Sequence, residues 1–578
     1  MKPSSNPNRS NEERAHEKGR SRSGRKVSRR KLLAALGAVG VAAAATKAEQ
    51  FGALGKAAAA VRPSQSGEAV EVIDQEQVYI HISPKFTGEY RALRYFGKLT
   101  QSNHSEVLYD AITAAADEGF KLFIPSNKAL YLSGWSTPTI NKPIEIEFQN
   151  GTLINSDTQQ NFLNLSNTAL INGIVTLEGF LNGLHFLGIG EEIDLFVNGM
   201  ICKNMGAMIN MRYSDNQSGS LRKAVIKDVW CSNLSNWGID ISPAVFGDLS
   251  FIRPKFKSCK TRFIGVGNNA TGENASSNQI VRILGLIGDG LSEQAGITEV
   301  NGIYVTGCQN VYIENPDIRN LEHTSSSYHA EGIYIKAANT AIVSPRMKNA
   351  GGNQGVIVVK GSGVGSEVSS KASIVNAVIE SDYPLSKPTC PLYVQADDVR
   401  FDGIISGTFT RPIQCNQSVN ISGLILDVKH VNCNSDRLIQ MTPNVISAEI
   451  KINSDNVNAI YAQRPVAVHF GGAKSPSDQG KSISENIAIK NSSAKNFKNS
   501  TGHISGTFAE IDLGSDSSAE YGKISIRDND TNNLTFSVSG VSGNVGALIT
   551  EGNDLTGGTA DWSAGGVSVT KLLQNNLS

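Results

Sequence analysis

Asn301-Gly302-Ile303-Tyr304-Val305-Thr306 lies over Glu331-Gly332-Ile333-Tyr334-Ile335-Lys336 without a gap. The overlay continues with Val311-Tyr312-Ile313 against Ala341-Ile342-Val343 and with Pro316 against Pro345, where the offset has shortened by a single position. A third copy opens at Gly355-Val356-Ile357-Val358-Val359, a somewhat shorter step beyond Gly332. Short β-branched strands that recur at this spacing describe a stack of similar coils. A single coil cannot bury its own apolar face and must pack on its neighbours. The expected fold is therefore all-β, an elongated parallel β-solenoid. Strict alternation puts Ile303, Val305, Ile333 and Ile335 in the core and turns Tyr304, Thr306, Tyr334 and Lys336 outward. If the two coils are neighbours, Tyr304 and Tyr334 form an exposed aromatic ladder with Lys336 beside it, suited to the apolar faces of sugar rings.

The composition agrees. At 578 residues the chain is too long for one compact core unless that core grows along an axis. Glycine (56) far outnumbers proline (18), as many short strands joined by tight turns require. The formal charge of zero conceals an asymmetry: residues 1–45 carry 11 Lys/Arg against 3 Asp/Glu, and the rest carries 42 against 50. A mildly acidic body argues against nucleic acid as a partner. The seven cysteines, at 202, 231, 259, 308, 390, 415 and 433, show no C-x-x-C or Cys/His metal spacing. The steps from Cys202 to Cys231 and from Cys231 to Cys259 are close to the coil repeat, so these three are expected as stacked interior thiols.

Ser28-Arg29-Arg30-Lys31-Leu32-Leu33 precedes the apolar run Ala34–Ala45, which is too short for a membrane span of about 20 residues. The charged leader, the Arg29-Arg30 pair and the modest apolar run resemble a twin-arginine export signal, with Leu32 where Phe is commoner. The resemblance implies passage through the twin-arginine machinery, a secreted or cell-surface location, and no stable membrane span after processing. Residues 46–75 read as a connector and 76–142 as an N-terminal cap. Within the cap, Ser105–Glu118 has apolar groups at Val107, Leu108, Ala111, Ile112 and Ala115 and predicts a helix, with Ser105 as N-cap and Gly119 as its stop. Strands follow at Phe120–Ile124 and Leu130–Leu132. The order helix, strand, Ile124-Pro125 turn, strand resembles the N-terminal cap of the pectate-lyase-like family. Residues 143–474 read as the parallel β-helix. Residues 475–578 read as either its end or a separate β-rich region.

The aligned repeats differ mainly in Leu321-Glu322-His323-Thr324-Ser325-Ser326-Ser327-Tyr328-His329-Ala330, an insertion that feeds the strand at Glu331. His329, Glu331 and Lys336 supply residue types for proton transfer and for clamping a sugar carboxylate. Tyr328 joins Tyr304 and Tyr334 as a substrate-binding candidate.

Cap and coils together resemble the pectin-lyase-like superfamily of right-handed parallel β-helix proteins over about residues 95–470. The resemblance implies action on an extracellular polysaccharide, with no required cofactor and Ca²⁺ as a possible one at acidic turns. The chain departs from the polygalacturonase-like members: Ser235-Asn236-Trp237-Gly238-Ile239-Asp240 has Trp237 where an acid is expected, and no Gly-His-Gly occurs. The paired carboxylates of glycoside hydrolysis are thus not visible at those positions, although Asp240 still points outward. The leading expectation is an exported polysaccharide lyase or glycoside hydrolase using Lys336, His329, Glu331 and Asp240. The alternative is a non-catalytic, glycan-binding surface solenoid. A phage-tailspike-like depolymerase is a third reading, which an export signal disfavours.

Overall fold

The computed structural model describes residues 90–92, 103–124, 129–149, 151–212, 215, 219–243, 245–267, 279–294, 297, 299–323, 330–352, 354–361, 371–416, 419–462, 464–471, 484–513, 520–531, 533–539, 543–561 and 567–577. Arg29, Arg30, the 46–75 connector, the turn at 125–128, Tyr328 and His329 lie outside the described residues.

The chain is a parallel β-helix. One coil shows the plan: Ile144–Phe148, Thr152–Ser156 and Leu163–Leu165 run along three faces, and Ala169–Asn172 then returns onto Ile144–Phe148 in parallel pairing. Each face is thereby a parallel ladder. Inside the third ladder, Ile264, Ile303, Ile333, Ile357 and Leu392 stand in register and are fully buried. Val266, Val305, Ile335, Val359 and Val394 form a second aliphatic column beside them. Each such side chain contributes roughly 1.5–3 kcal/mol by leaving water, and β-branched groups suit the pleat.

The corner from first to second face is made by one left-handed residue per coil: Asp228, Arg253, Gly285, Asn315 and Ser344, with φ between 50° and 64°. Each donates its N–H to a carbonyl of the next coil at 2.7–2.9 Å, from Asp228 to Ile252 through Ser344 to Val375. That conformation costs a non-glycine residue roughly 1–2 kcal/mol, and the bond offsets part of it. Asn349 is left-handed at a bend, and Asn320 is left-handed inside the strand Asp317–Glu322. Asn310 and Asn339 also sit within strands, where the Asn339 amide donates to Asn310 Oδ1 at 3.0 Å.

The stack begins at the helix Ser105–Glu118, whose buried residues are Leu108, Ala111, Ile112, Ala115 and Ala116. Gly119 ends it at φ 75°. Ser105 is not the N-cap: His104 holds that position, and Ser105 Oγ donates to the Ser133 carbonyl at 3.1 Å. The sequence overlay also needs two corrections. The slip between copies falls at Gly307, so Val311 pairs with Thr340 and Tyr312 with Ala341. The third copy is displaced by one position from the glycine overlay, since Ile333 pairs with Ile357 and not with Val356. A glycine anchor misplaced by one position exchanges the two faces of a strand.

Beyond residue 475 the described strands continue the same ladders. Asn486–Lys490 lies on Ser447–Asn458, and Thr507–Asp512 on Val466–Phe470. All seven cysteines are buried and free. Cys202 and Cys231 are register partners, but Cys231 faces Phe256, and Cys259 sits one corner further on against Leu291. The third thiol is therefore interior but not in the column.

Candidate functional site

Because parallel strands about 4.8 Å apart keep their register, one outward row runs the length of the third face. It passes through Asn164, His185, Asn210, Asp240, Gly265, Tyr304 and Tyr334. It continues through Val358, Tyr393, Gln414, Gln440, His469 and Glu510. Asp240, Tyr304 and Tyr334, far apart in sequence, thus share one row, as alternation predicts.

Gly265 organises its centre. A Cβ there would touch Arg262 Cδ at 3.4 Å, and Asp240 Oδ1 at 3.6 Å. The space a side chain would occupy belongs to the Arg262 guanidinium, which lies 4.2 Å over the Tyr304 ring. Arg262 also donates to Glu299 and, at 3.4 Å, to Asn301 Oδ1. The Tyr304 and Tyr334 rings stack at 4.9 Å and 13°, and Lys360 Nζ stands 5.0 Å over Tyr334. Cation, two rings and cation form a continuous pile, each cation–ring contact contributing about 0.5–2 kcal/mol.

This pile corrects the expected open aromatic platform. Tyr334 is only 7% exposed, because Lys360 and Tyr304 cover its faces, and Tyr304 is half-buried. The rings position Arg262 and Lys360; they do not offer a free face to a sugar. Glu331 is likewise not at a rim. It is fully buried and accepts a hydrogen bond from the Asn301 amide. Lys336 is half-buried and in register with Thr306 and Lys360. Burial lowers the Lys360 ammonium, Glu331 pulls it back up, and Lys336 lowers it further.

Asp240 is also altered by this setting. It is 8% exposed, and burial raises its carboxyl above the usual range. Arg262, the Ser242 hydroxyl donating at 2.8 Å, and Arg212 oppose that rise, while Glu299 adds to it. Arg212 is exposed and lies 3.9 Å over the Trp237 ring, so Trp237, standing where the acid was expected, instead carries an arginine. Next to Asp240 in the row, the buried Asn210 Oδ1 finds no hydrogen-bond partner among the described residues, nor does Trp237 Nε1. A buried carboxyl within the electrostatic reach of two guanidiniums, beside polar atoms lacking partners among the described residues, has the residue types for holding an anionic group and moving a proton.

Among the described residues no three His, Cys, Asp or Glu side chains gather as metal ligands, and no helix is long and apolar enough to cross a membrane. Sequence reading missed Arg212, Arg262, Glu299 and Lys360. The register Gly265–Tyr304 was the available signal: a glycine in an outward row leaves room that a neighbouring long side chain fills.

No family model matches the chain, and neither does any curated protein. Among solved structures it is similar to the tailspike protein of E. coli bacteriophage HK620 in complex with a pentasaccharide, at 11% identity over 86% of each chain with a TM-score of 0.27. It is also similar to the A-module of Azotobacter vinelandii mannuronan C-5 epimerase AlgE4, at 10% identity over 85% of this chain and 99% of that one, with a TM-score of 0.16. Likenesses of this size say nothing about the reaction.

Proposed function

We propose that the chain acts on an acidic extracellular polysaccharide laid along the outward row of its third face, and that it does so by β-elimination centred on Asp240. The observation that carries this is the buried Asp240 carboxyl in the outward row, accepting from the Ser242 hydroxyl at 2.8 Å and lying within the electrostatic reach of Arg262 and Arg212. A lyase needs one group to take the C5 proton of a uronate and cations to neutralise the charge that develops on its carboxylate. Electrons from the C5–H bond then form the C4–C5 double bond as the C4–oxygen bond breaks, and the departing oxygen takes the proton that Asp240 has just acquired. Asp240 fits the first role in its ionised form, and the two arginines fit the second. Lys336 and Lys360, in register two positions beyond Tyr334 and Val358, add positive charge beside the row. Hydrolysis needs a second free carboxylate; Glu299 is held by Arg262, and Glu331 is sealed in the core.

The alternative, a glycan-binding solenoid without catalysis, is favoured by the coverage of Asp240, which limits a substrate's reach to its carboxyl. Arg29-Arg30 before its short apolar run supports export, and thus an extracellular glycan. The test is a panel of uronate and neutral polysaccharides given to the purified chain. Absorbance of unsaturated products reports elimination and new reducing ends report any cleavage. Unsaturated ends from a uronate polymer support the lyase; reducing ends without them indicate a hydrolase; binding without either indicates the adhesion protein.

A further inference from the structure

Six strand steps down the row from Asp240, roughly 29 Å at about 4.8 Å per step, a cleft of about 590 Å³ opens on the same face. Its floor follows the row: Gln414, Gln440 and Glu510 line it, while His469, in register between the last two, lies buried and does not. Arg411 and Arg437 line it from the strand starts, and Arg464 lines it from the turn before Val466–Phe470. Arg464 and Arg411 are exposed.

Part of the lining is a pinned turn. Asp436 Oδ1 accepts three backbone N–H groups, from Ile460, Tyr461 and Ala462, at 2.8–2.9 Å. Three bonds to one carboxylate oxygen fix the turn and satisfy that oxygen, so Asp436 adds little repulsion toward an anion. The turn holds Tyr461 out with 70% of its surface exposed. An exposed tyrosine held by its backbone offers a ring face and a hydroxyl to a sugar, which the covered Tyr304–Tyr334 pile does not. Beneath the arginines, His469 is 3% exposed, its Nε2 lies 3.8 Å from Glu510 and 4.0 Å from Asp512, and neither ring nitrogen has a hydrogen-bond partner among the described residues. Burial and Arg437 bring its pKa down to about 4, so the ring is neutral near pH 7. Burial raises the Glu510 carboxyl, against the pull of Arg464 and Arg437.

We infer that this cleft is a second saccharide-binding site, separate from the Asp240 centre, in which Arg411, Arg437 and Arg464 bind the anionic group of an acidic sugar unit while Tyr461 lies against its ring. The saccharide class rests on the polysaccharide reading above; the preference for an anion rests on the three arginines alone. A guanidinium matches a carboxylate or a sulfate bidentately, so both sources are included in the test. Two sites on one row make the protein a holder of long chains, with affinity that grows with ligand length.

The experiment is calorimetric titration of the full chain, at low and high salt, with an oligogalacturonate, a sulfated galactan oligosaccharide and a neutral galactan oligosaccharide of equal length. It is repeated on Arg464→Glu, Arg437→Ala and Tyr461→Ala, and on each of these combined with Arg262→Ala so that the two sites are scored apart. We expect the acidic ligands to bind and the neutral one not to. Arg464→Glu should weaken binding at least tenfold in both backgrounds, with an unchanged melting curve because the side chain is exposed. Binding of the oligogalacturonate alone points to carboxylate recognition, and binding of both acidic ligands to a general anion cradle; either supports the site. It is overturned if the neutral ligand binds as well as the acidic ones, if no acidic ligand binds, or if Arg464→Glu and Arg437→Ala both stay within twofold of wild type. Arginine-dependent binding without cleavage of any polymer would sink the Asp240 lyase and keep this site. Cleavage with binding indifferent to Arg464 and Arg437 would do the reverse.

Discussion

Arg262→Ala removes the side chain that ties the Asp240 centre together, and the structure fixes how large the effect should be. The guanidinium stacks on Tyr304 at 4.2 Å, a contact of about 0.5–2 kcal/mol. Its hydrogen bonds to Glu299 and Asn301 are charge-assisted, worth about 1.5–3 kcal/mol when buried, but the Glu299 side chain is 40% exposed, so solvent screening discounts that pair to about 1 kcal/mol or less. These contributions share one side chain and do not add, so a loss of about 2–4 kcal/mol is expected at pH 7. The loss should also depend on pH in a defined direction. Asp240 already has a raised carboxyl in the folded state, so its stabilising contribution is full below the unfolded value of about 3.9 and declines as pH rises through the folded one. Without Arg262 the folded value climbs further, so the mutant deficit should be largest at neutral pH and shrink toward pH 4. Urea unfolding followed by circular dichroism at pH 4, 5.5 and 7 measures this, with Arg262→Lys recovering part of the loss. A deficit below about 0.5 kcal/mol at pH 7, or one that grows on acidification, would refute the reasoning.

Ile333→Ala should cost about 2–5 kcal/mol in unfolding experiments, because a fully buried column residue leaves a cavity. Lys336→Ala should cost under about 1 kcal/mol while lowering turnover, and full activity in that variant would remove Lys336 from the site. The seven buried thiols should resist labelling reagents until the chain unfolds, the more so because burial pushes Cys259, Cys308, Cys390, Cys415 and Cys433 up to about 12. Rapid labelling of the native protein would show the interior register to be wrong. Changing Arg29 and Arg30 to Lys should leave the precursor in the cytoplasm, and normal secretion of that variant would remove the twin-arginine reading.

Much of the architecture was legible because a β-helix repeats its physics. The alternation in Gly302–Val305 and Gly332–Ile335 determined which side chains enter the core, and the helix Ser105–Glu118 carried its apolar stripe in plain view. Register was harder. The slip at Gly307 and the displacement of the third copy turn on single positions, and glycines are poor anchors because they recur on both faces. The site was legible only in part. The outward positions of Asp240, Tyr304, Tyr334 and Lys336 could be read because alternation is local, but exposure is not. Whether Tyr334 faces water depends on Lys360, and whether Asp240 keeps its proton depends on Arg212, Arg262 and Glu299, which arrive from other coils. The Arg411–Arg437–Arg464 cleft left no motif at all, since its arginines belong to three different segments.

The central claim is that Asp240 transfers the proton in a reaction on an acidic glycan, and turnover of Asp240→Asn tests it most directly. On a uronate polymer that the wild type degrades, the variant should retain its fold and lose about 10²–10⁴-fold in rate of unsaturated-product formation, the range expected for loss of a general base. Its melting temperature should hold or rise, because a buried charge has been removed. Wild-type turnover in Asp240→Asn would contradict the account.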